Sequence, residues 1–149
     1  MFSLGLFFAF VISTIAASNT PDCRRRMEML PYACKESVKN LVVKEISATK
    51  EGKSMDYDCI FEYGALVKLE GGDARLRKVF PGLRYKAWRS FSKPMSSSEF
   101  NETSFVKEAV KEILEDPSPM APSRKYGCNF RDLEEGNGKK RYELACLFG

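Results

Sequence analysis

Two alternating apolar stretches face each other across a glycine-rich turn at the end of this 149-residue chain, and no other feature constrains the fold as much. Tyr126, Cys128 and Phe130 alternate in the first stretch, and Tyr142, Leu144, Cys146 and Phe148 in the second. The charged segment between them contains Gly136-Asn137-Gly138, residues that accept the backbone angles of a tight hairpin. Pairing the arms symmetrically about Asn137 sets Cys128 opposite Cys146, Phe130 opposite Leu144 and Tyr126 opposite Phe148. Directly opposed residues of an antiparallel pair have Cα atoms about 4.5–5.5 Å apart, within the reach of a disulfide. The register therefore predicts a Cys128–Cys146 bridge. In the competing arrangement both thiols pair elsewhere, for instance Cys128 with Cys59.

A disulfide presupposes an oxidising compartment. The uncharged run from Leu4 to Ile12, followed by the small residues Ala16-Ala17-Ser18, has the pattern of a cleaved secretory signal over residues 1–18. That run is too short to cross a bilayer core of about 30 Å, so the expectation is export without a membrane span. Residues 19–149 then form one secreted domain. Its five cysteines permit two bridges and one leftover thiol. Cys23 and Cys34 are expected to be disulfide-bonded alongside Cys128 and Cys146, and an unpaired thiol reads as a small buried hydrophobe.

The chain contains no histidine. That removes the usual general base near neutral pH and the commonest transition-metal ligand, so Ser-His-Asp and Cys-His machinery are excluded. The paired acids Asp56/Asp58, Glu115/Asp116 and Glu134/Glu135 are too close in sequence to flank a sugar bond, and read as helix-end and turn charges. No catalytic residue, metal ligand or cofactor is assigned. A net charge of +4 is too small to argue for nucleic acid.

Upstream of the hairpin, the pattern turns helical. Pro31 suits the first position of a helix whose buried face carries Cys34, Val38, Leu41, Val42 and Ile46, and Gly52 ends it. Met55–Leu69 is ambiguous. Every odd position is apolar, as in a strand, yet Ser54 is a good cap, Asp56 and Asp58 suit a helix start, and Gly71-Gly72 suit its end. Ile60 and Leu66 at even positions tip the reading to helix. A strand is expected around Leu83–Phe91 and a loop at Ser96–Ser98. Glu102–Glu115 is an amphipathic helix ended by Pro117 and Pro119. The fold class is α+β: about three helices packed on a small antiparallel sheet, closed by the disulfide-linked C-terminal hairpin.

The stretch Met55-Asp56-Tyr57-Asp58-Cys59-Ile60-Phe61-Glu62-Tyr63-Gly64-Ala65-Leu66 resembles the M-x-Y-D-C-x-L-E-x-x-A helix of nematode secreted proteins of the CAP superfamily, the venom-allergen-like and activation-associated secreted proteins. Met120-Ala121, Lys125-Tyr126-Gly127-Cys128-Asn129 and Tyr142-Glu143-Leu144-Ala145-Cys146-Leu147-Phe148 resemble that family's M-A-…-I-G-C hairpin and closing V-V-C-x-Y strand, in the family's order. The resemblance covers about 40 residues and implies a divergent, shortened relative with helices on an antiparallel sheet. The family's cavity is built around two His and two acidic residues. With no histidine here, neither a metal site nor sterol binding carries over.

The leading binding surface is the stretch Arg75, Arg77, Lys78, Arg84, Lys86, Trp88, Arg89 and Lys93, which has no acid between Ala74 and Ser98 and interleaves Phe80, Tyr85, Trp88 and Phe91. Such a stretch suits a glycosaminoglycan or another anionic surface. Its bland counterpart is a solvated sheet face with the aromatics, the lone Trp88 among them, turned inward. Arg24-Arg25-Arg26 reads as further basic surface or as a processing site. Asn101-Glu102-Thr103 is a glycosylation sequon. Together these readings describe a secreted, non-enzymatic binding protein engaging an extracellular, host-derived protein. The alternatives are an inhibitor of an extracellular protease and a carrier of small apolar ligands.

Overall fold

The hairpin forms in the register that the alternation dictates. In the computed structural model, which describes residues 20–120 and 122–149, Cys128 pairs with Cys146, Phe130 with Leu144 and Tyr126 with Phe148. The segment read as a secretory signal lies outside the described residues. Gly136, Asn137 and Gly138 all take positive φ at the tip, at 83°, 56° and 71°. The two arms are β3 (Lys125–Gly136) and β4 (Lys139–Phe148), joined by a Cys128–Cys146 disulfide.

Ahead of them lie a 3-10 turn (Met27–Tyr32), α1 (Glu36–Ser47), β1 (Asp56–Tyr57), α2 (Cys59–Val79), β2 (Ala87–Ser96) and α3 (Glu102–Ile113), with short 3-10 turns at Gly52–Ser54 and Ser118–Met120. The sheet order is β1-β3-β4-β2, with β1 parallel to β3 and the other pairs antiparallel. Strand alternation gives the sheet two apolar faces. Tyr126 and Cys128 of β3 and Tyr142, Leu144, Cys146 and Phe148 of β4 pack against Val38, Val42 and Ile46 of α1 and Phe105, Val106, Ala109, Val110 and Ile113 of α3. Leu147 points the other way, into Phe61 and Ala65 of α2. The result is a mixed sheet between one helix and two.

Several boundaries differ from the sequence reading. Pro31 lies in the 3-10 turn, and α1 begins five residues later at Glu36. Met55–Leu69 is both of its alternatives in succession. Asp56-Tyr57 is a strand, held by hydrogen bonds from Asp56 N to Arg124 O and from Asp58 N to Tyr126 O, each 2.8 Å. The helix begins at Cys59, capped by Asp58, whose Oδ1 accepts from Ile60 N and Phe61 N. The strand expected around Leu83–Phe91 starts at Ala87 and runs to Ser96. Cys34 is not disulfide-bonded: Cys23 pairs with Cys59, and Cys34 is free and buried. The chain places Cys59 at the start of α2 across from Cys23, whereas Cys34 enters the core ahead of α1.

The first turn of α2 lies almost on the backbone of β3. A Cβ on Gly127 would sit 2.2 Å from Glu62 N and 2.5 Å from Asp58 O, so only glycine permits the approach. This close approach places a buried polar hub. Glu62 is fully buried, and its carboxylate accepts from Cys34 N at 3.1 Å and from Tyr57 OH at 2.7 Å. Its backbone carbonyl accepts from Asn129 Nδ2 at 3.1 Å. Lys39, only 2% exposed, brings Nζ to 4.0 Å from Glu62 Oε1 and donates to Pro21 O. Burial raises the Glu62 carboxyl above its ordinary 4.5, against the opposing hydrogen bonds of Tyr57 and Cys34 and the Lys39 charge. Burial first, then the nearby Glu62 charge, pushes the Cys34 thiol up to about 12, so it stays protonated and unreactive.

Two outcomes follow for stability, both measurable by urea denaturation. Lys39→Met strands the Glu62 carboxylate and lowers stability by about 3–5 kcal/mol at neutral pH, while Lys39→Met with Glu62→Gln recovers most of that loss. Because the folded-state pKa of Glu62 is raised, its contribution is complete below the unfolded value and is lost as pH rises through the folded one. The penalty of Lys39→Met therefore shrinks as pH falls toward 4.5, as the buried carboxyl takes up its proton. Gly127→Ala forces α2 off the sheet and lowers stability by about 1–3 kcal/mol or more.

Candidate functional site: a groove beside the bent helix

Gly71 and Gly72 do not end α2; they bend it. Gly72 has φ +66° and ψ −164°, a conformation open to glycine and strained for other residues, and helix resumes beyond it. In an unbroken helix residues 64 and 76 would lie about 18 Å apart. Instead, a Cβ on Gly64 would sit 3.4 Å from Leu76 Cδ1 and 2.6 Å from Leu83 Cδ2. The second half of α2 therefore folds back along the first and buries Leu76.

A polar clamp secures the return. Lys68 Nζ lies 2.8 Å from Asp73 Oδ1, and Tyr85 OH donates to the same oxygen at 2.8 Å. Lys68 also sits over the rings of Tyr85 and Trp88, at 4.6 and 5.1 Å from their centroids. The hydrogen bonds from Lys68 and Tyr85 hold the Asp73 carboxyl below its ordinary value. Partial burial pulls Lys68 down, but its bonds to Asp73 and Tyr85 outweigh this and its pKa is raised.

Between the returning half of α2 and the segment leading to β2 lies an open groove of about 390 Å³. Leu76, Phe80, Leu83 and Tyr85 form its apolar lining, with Arg77, Arg84 and the clamped Asp73 alongside. Phe80 meets Tyr32 edge to face, with centroids 6.3 Å apart, which ties the 3-10 turn to this corner. A larger groove of about 690 Å³ between α1 and α3 is predominantly acidic, lined by Glu45, Glu108, Glu112 and Glu115 against Lys107 and Lys111, and has no aromatic side chain. The groove beside α2 is thus the one that combines aromatic and cationic side chains.

The structure separates the basic stretch that sequence alone presents as continuous. Arg77 and Arg84 meet in the groove. Lys78 is exposed on the returning half of α2, and Arg75 there is paired with Glu70 at 3.0 Å. Lys86 Nζ donates to Pro122 O at 3.1 Å. Trp88 is half-buried against the α2 face, packed with Phe61, Ala65 and Leu147. Arg89 and Lys93 alternate with it and lie on the opposite face, where Lys93 pairs with Glu108 of α3 at 2.9 Å. Asn101 is exposed and caps α3, its Oδ1 accepting from Ser104 N at 2.9 Å and leaving its Nδ2 clear of that bond. The residues missed in the sequence are Asp73, Leu76 and Leu83 in the groove and the Lys39–Glu62 hub. A charged residue inside each helix's apolar arc was the available signal for the hub; the groove had none, because it depends on the fold-back.

Among the described residues, no three His, Cys, Asp or Glu side chains group to hold a metal ion, and no helix is long and apolar enough to cross a membrane. No curated protein sequence is significantly similar to the chain. Among solved structures, the chain is similar to manganese-bound Ac-ASP-7, with TM-score 0.52 and 13% identity over 76% of this chain and 69% of that one. A second structure, the Ancylostoma-secreted protein Ac-ASP-7, matches with TM-score 0.49 and 12% identity over the same shares. The first likeness shows a shared fold; the manganese is a property of that protein. The sequence model of the family described as Ancylostoma-associated secreted protein related matches residues 23–148, from the first disulfide cysteine to the last residue of β4. The chain belongs to that family, as a divergent relative of the nematode secreted CAP proteins.

Proposed function

We propose that the chain is a secreted, non-enzymatic binding protein that engages an extracellular protein partner through the groove beside α2. The observation that carries this reading is that Arg77 and Arg84 line one groove with the apolar groups of Leu76, Phe80, Leu83 and Tyr85. An acidic side chain flanked by apolar groups fits such a groove, and a folded protein supplies both. A sulfated polysaccharide is uniformly polar and rewards a long cationic track. The fold breaks that track, since Arg89 and Lys93 lie on the other face of the sheet from Trp88. Binding rather than catalysis is favoured because histidine is absent from the sequence and the buried Cys34 thiol is held protonated. Export is supported by the two disulfides and by the family's secreted members.

Arg77→Glu with Arg84→Glu tests the reading, since both side chains are exposed and neither anchors the fold. Captured against a panel of purified host extracellular proteins, the wild type retains a partner that the variant binds about tenfold more weakly or worse, with the difference shrinking as salt rises. An identical capture profile for the two proteins defeats the proposal. So does tight heparin retention that falls equally on neutralising Arg77, Lys86 or Lys93, which instead marks a polysaccharide binder.

A further inference from the structure

The chemistry left over lies between Cys23 and the 3-10 turn. Arg24, Arg25 and Arg26 are consecutive and all exposed; the Arg25 side chain is 83% exposed and the following Met27 is 79% exposed. Among the described residues, the hydrogen bonds and ion pairs of residues 24–28 are local. Arg24 N donates to Asp22 Oδ1 at 3.1 Å, Arg25 Nε lies 3.5 Å from Asp22 Oδ2, and Met29 N donates to Arg26 O at 2.9 Å.

Both ends of this loop are fixed. Upstream, Cys23 is buried and bonded to Cys59, its carbonyl accepts from Tyr63 OH, and Lys39 Nζ donates to Pro21 O. Downstream, Tyr32 O accepts from Asn129 Nδ2 at 2.6 Å and Cys34 N donates to Glu62 Oε2 at 3.1 Å. An exposed loop hung between two buried anchors can be opened without disturbing either.

We propose that Arg24-Arg25-Arg26 is a cleavage site for an arginine-specific serine protease, and that cleavage yields a two-chain protein whose N-terminal peptide stays attached through Cys23–Cys59. Such an enzyme selects arginine through an acidic pocket beneath the scissile residue. The loop must peel away to enter the cleft, and this is inexpensive where every side chain is exposed and every hydrogen bond local. Water adds across one peptide bond, leaving a carboxylate on an arginine and an amino group on the next residue; no electron transfer is involved. The cut breaks no buried contact, so the core persists, while the new amino terminus frees the exposed Met27 and Leu30 from the upstream chain. The site stands apart from the groove and does not depend on its binding role.

Protein secreted from a eukaryotic culture is compared by intact mass, before and after reduction, with the same material given limiting trypsin. The expected result is one water's mass added to the oxidised protein, with reduction releasing a peptide that ends at Arg24, Arg25 or Arg26. The circular dichroism spectrum is unchanged. Arg24→Gln/Arg25→Gln/Arg26→Gln survives about tenfold longer or more with an unaltered Tm. Material already nicked on secretion places the enzyme inside the secretory pathway; intact material that trypsin then nicks places it outside. Three results overturn the proposal: a first native cut elsewhere, such as Lys139–Arg141 at the hairpin tip; equal cleavage of the triple variant; or stoichiometric blockade of trypsin without cleavage, which marks an inhibitor.

Discussion

The buried carboxylate of Glu62 is the interaction on which the arrangement of elements depends. Its two oxygens bind the entry to α1 through Cys34 N and the short strand β1 through Tyr57 OH, while its main chain binds β3 through Asn129. Lys39 of α1 faces the same carboxylate and reaches on to Pro21. Four stretches of chain, at Pro21, Cys34–Lys39, Tyr57 and Asn129, are thus tied together through buried Glu62 and Lys39. A buried charge of this kind is a weak source of net stability, since desolvation offsets much of the attraction. What it supplies is selection among alternative packings: a shift of α2 along the sheet by one turn would break the bonds of Glu62 to Cys34, Tyr57 and Asn129 and its pairing with Lys39. Gly127 makes the hub possible by letting the backbone of α2 rest on β3.

The disulfides reinforce that hub from two sides. Cys23–Cys59 ties the N-terminal segment to the start of α2, three residues before Glu62. Cys128–Cys146 staples β3 to β4 next to Asn129. Cys34, which donates its backbone N–H to Glu62, keeps a free thiol inside the main core, where burial and the neighbouring carboxylate both disfavour its ionisation. Its protonated state keeps it out of exchange with either bridge, so an odd cysteine persists without scrambling the pairing.

Local rules made the hairpin legible to the residue, because strand alternation and the glycine turn admit one register and both cysteines obey it. The amphipathic α3 was legible for the same reason, its apolar face repeating at helical spacing. Tertiary contacts decided the rest. Asp56-Tyr57 leaves the helical pattern because β3, far along the chain, offers it a parallel partner. Gly71-Gly72 carries the chemistry of a stop, yet Leu76 regains burial by folding back, so the pair acts as a hinge. Cys34 and Cys59 are equally plausible partners for Cys23 by spacing, and only the position of α2 chooses between them. The groove beside α2 is the extreme case: Arg77 and Arg84 were visible as basic residues, but the apolar lining they share exists only after the bend.

The buried polar groups of this chain are almost all engaged in holding the fold. Among the described residues, Ser123 Oγ is the buried side-chain polar atom without a partner, and it lies in the stretch leading into β3. The remaining buried polar groups, Glu62, Lys39 and Asn129, are all engaged, so none is free to meet a substrate. Chemistry that is not consumed by folding is found instead on exposed arginines. Arg77 and Arg84 stand beside an apolar groove, and Arg24–Arg26 lie in a loop anchored at both ends. Guanidinium groups stay charged under all physiological conditions and offer planar, multidentate contacts to carboxylates. Recognition that rests on them is insensitive to pH and sensitive to salt.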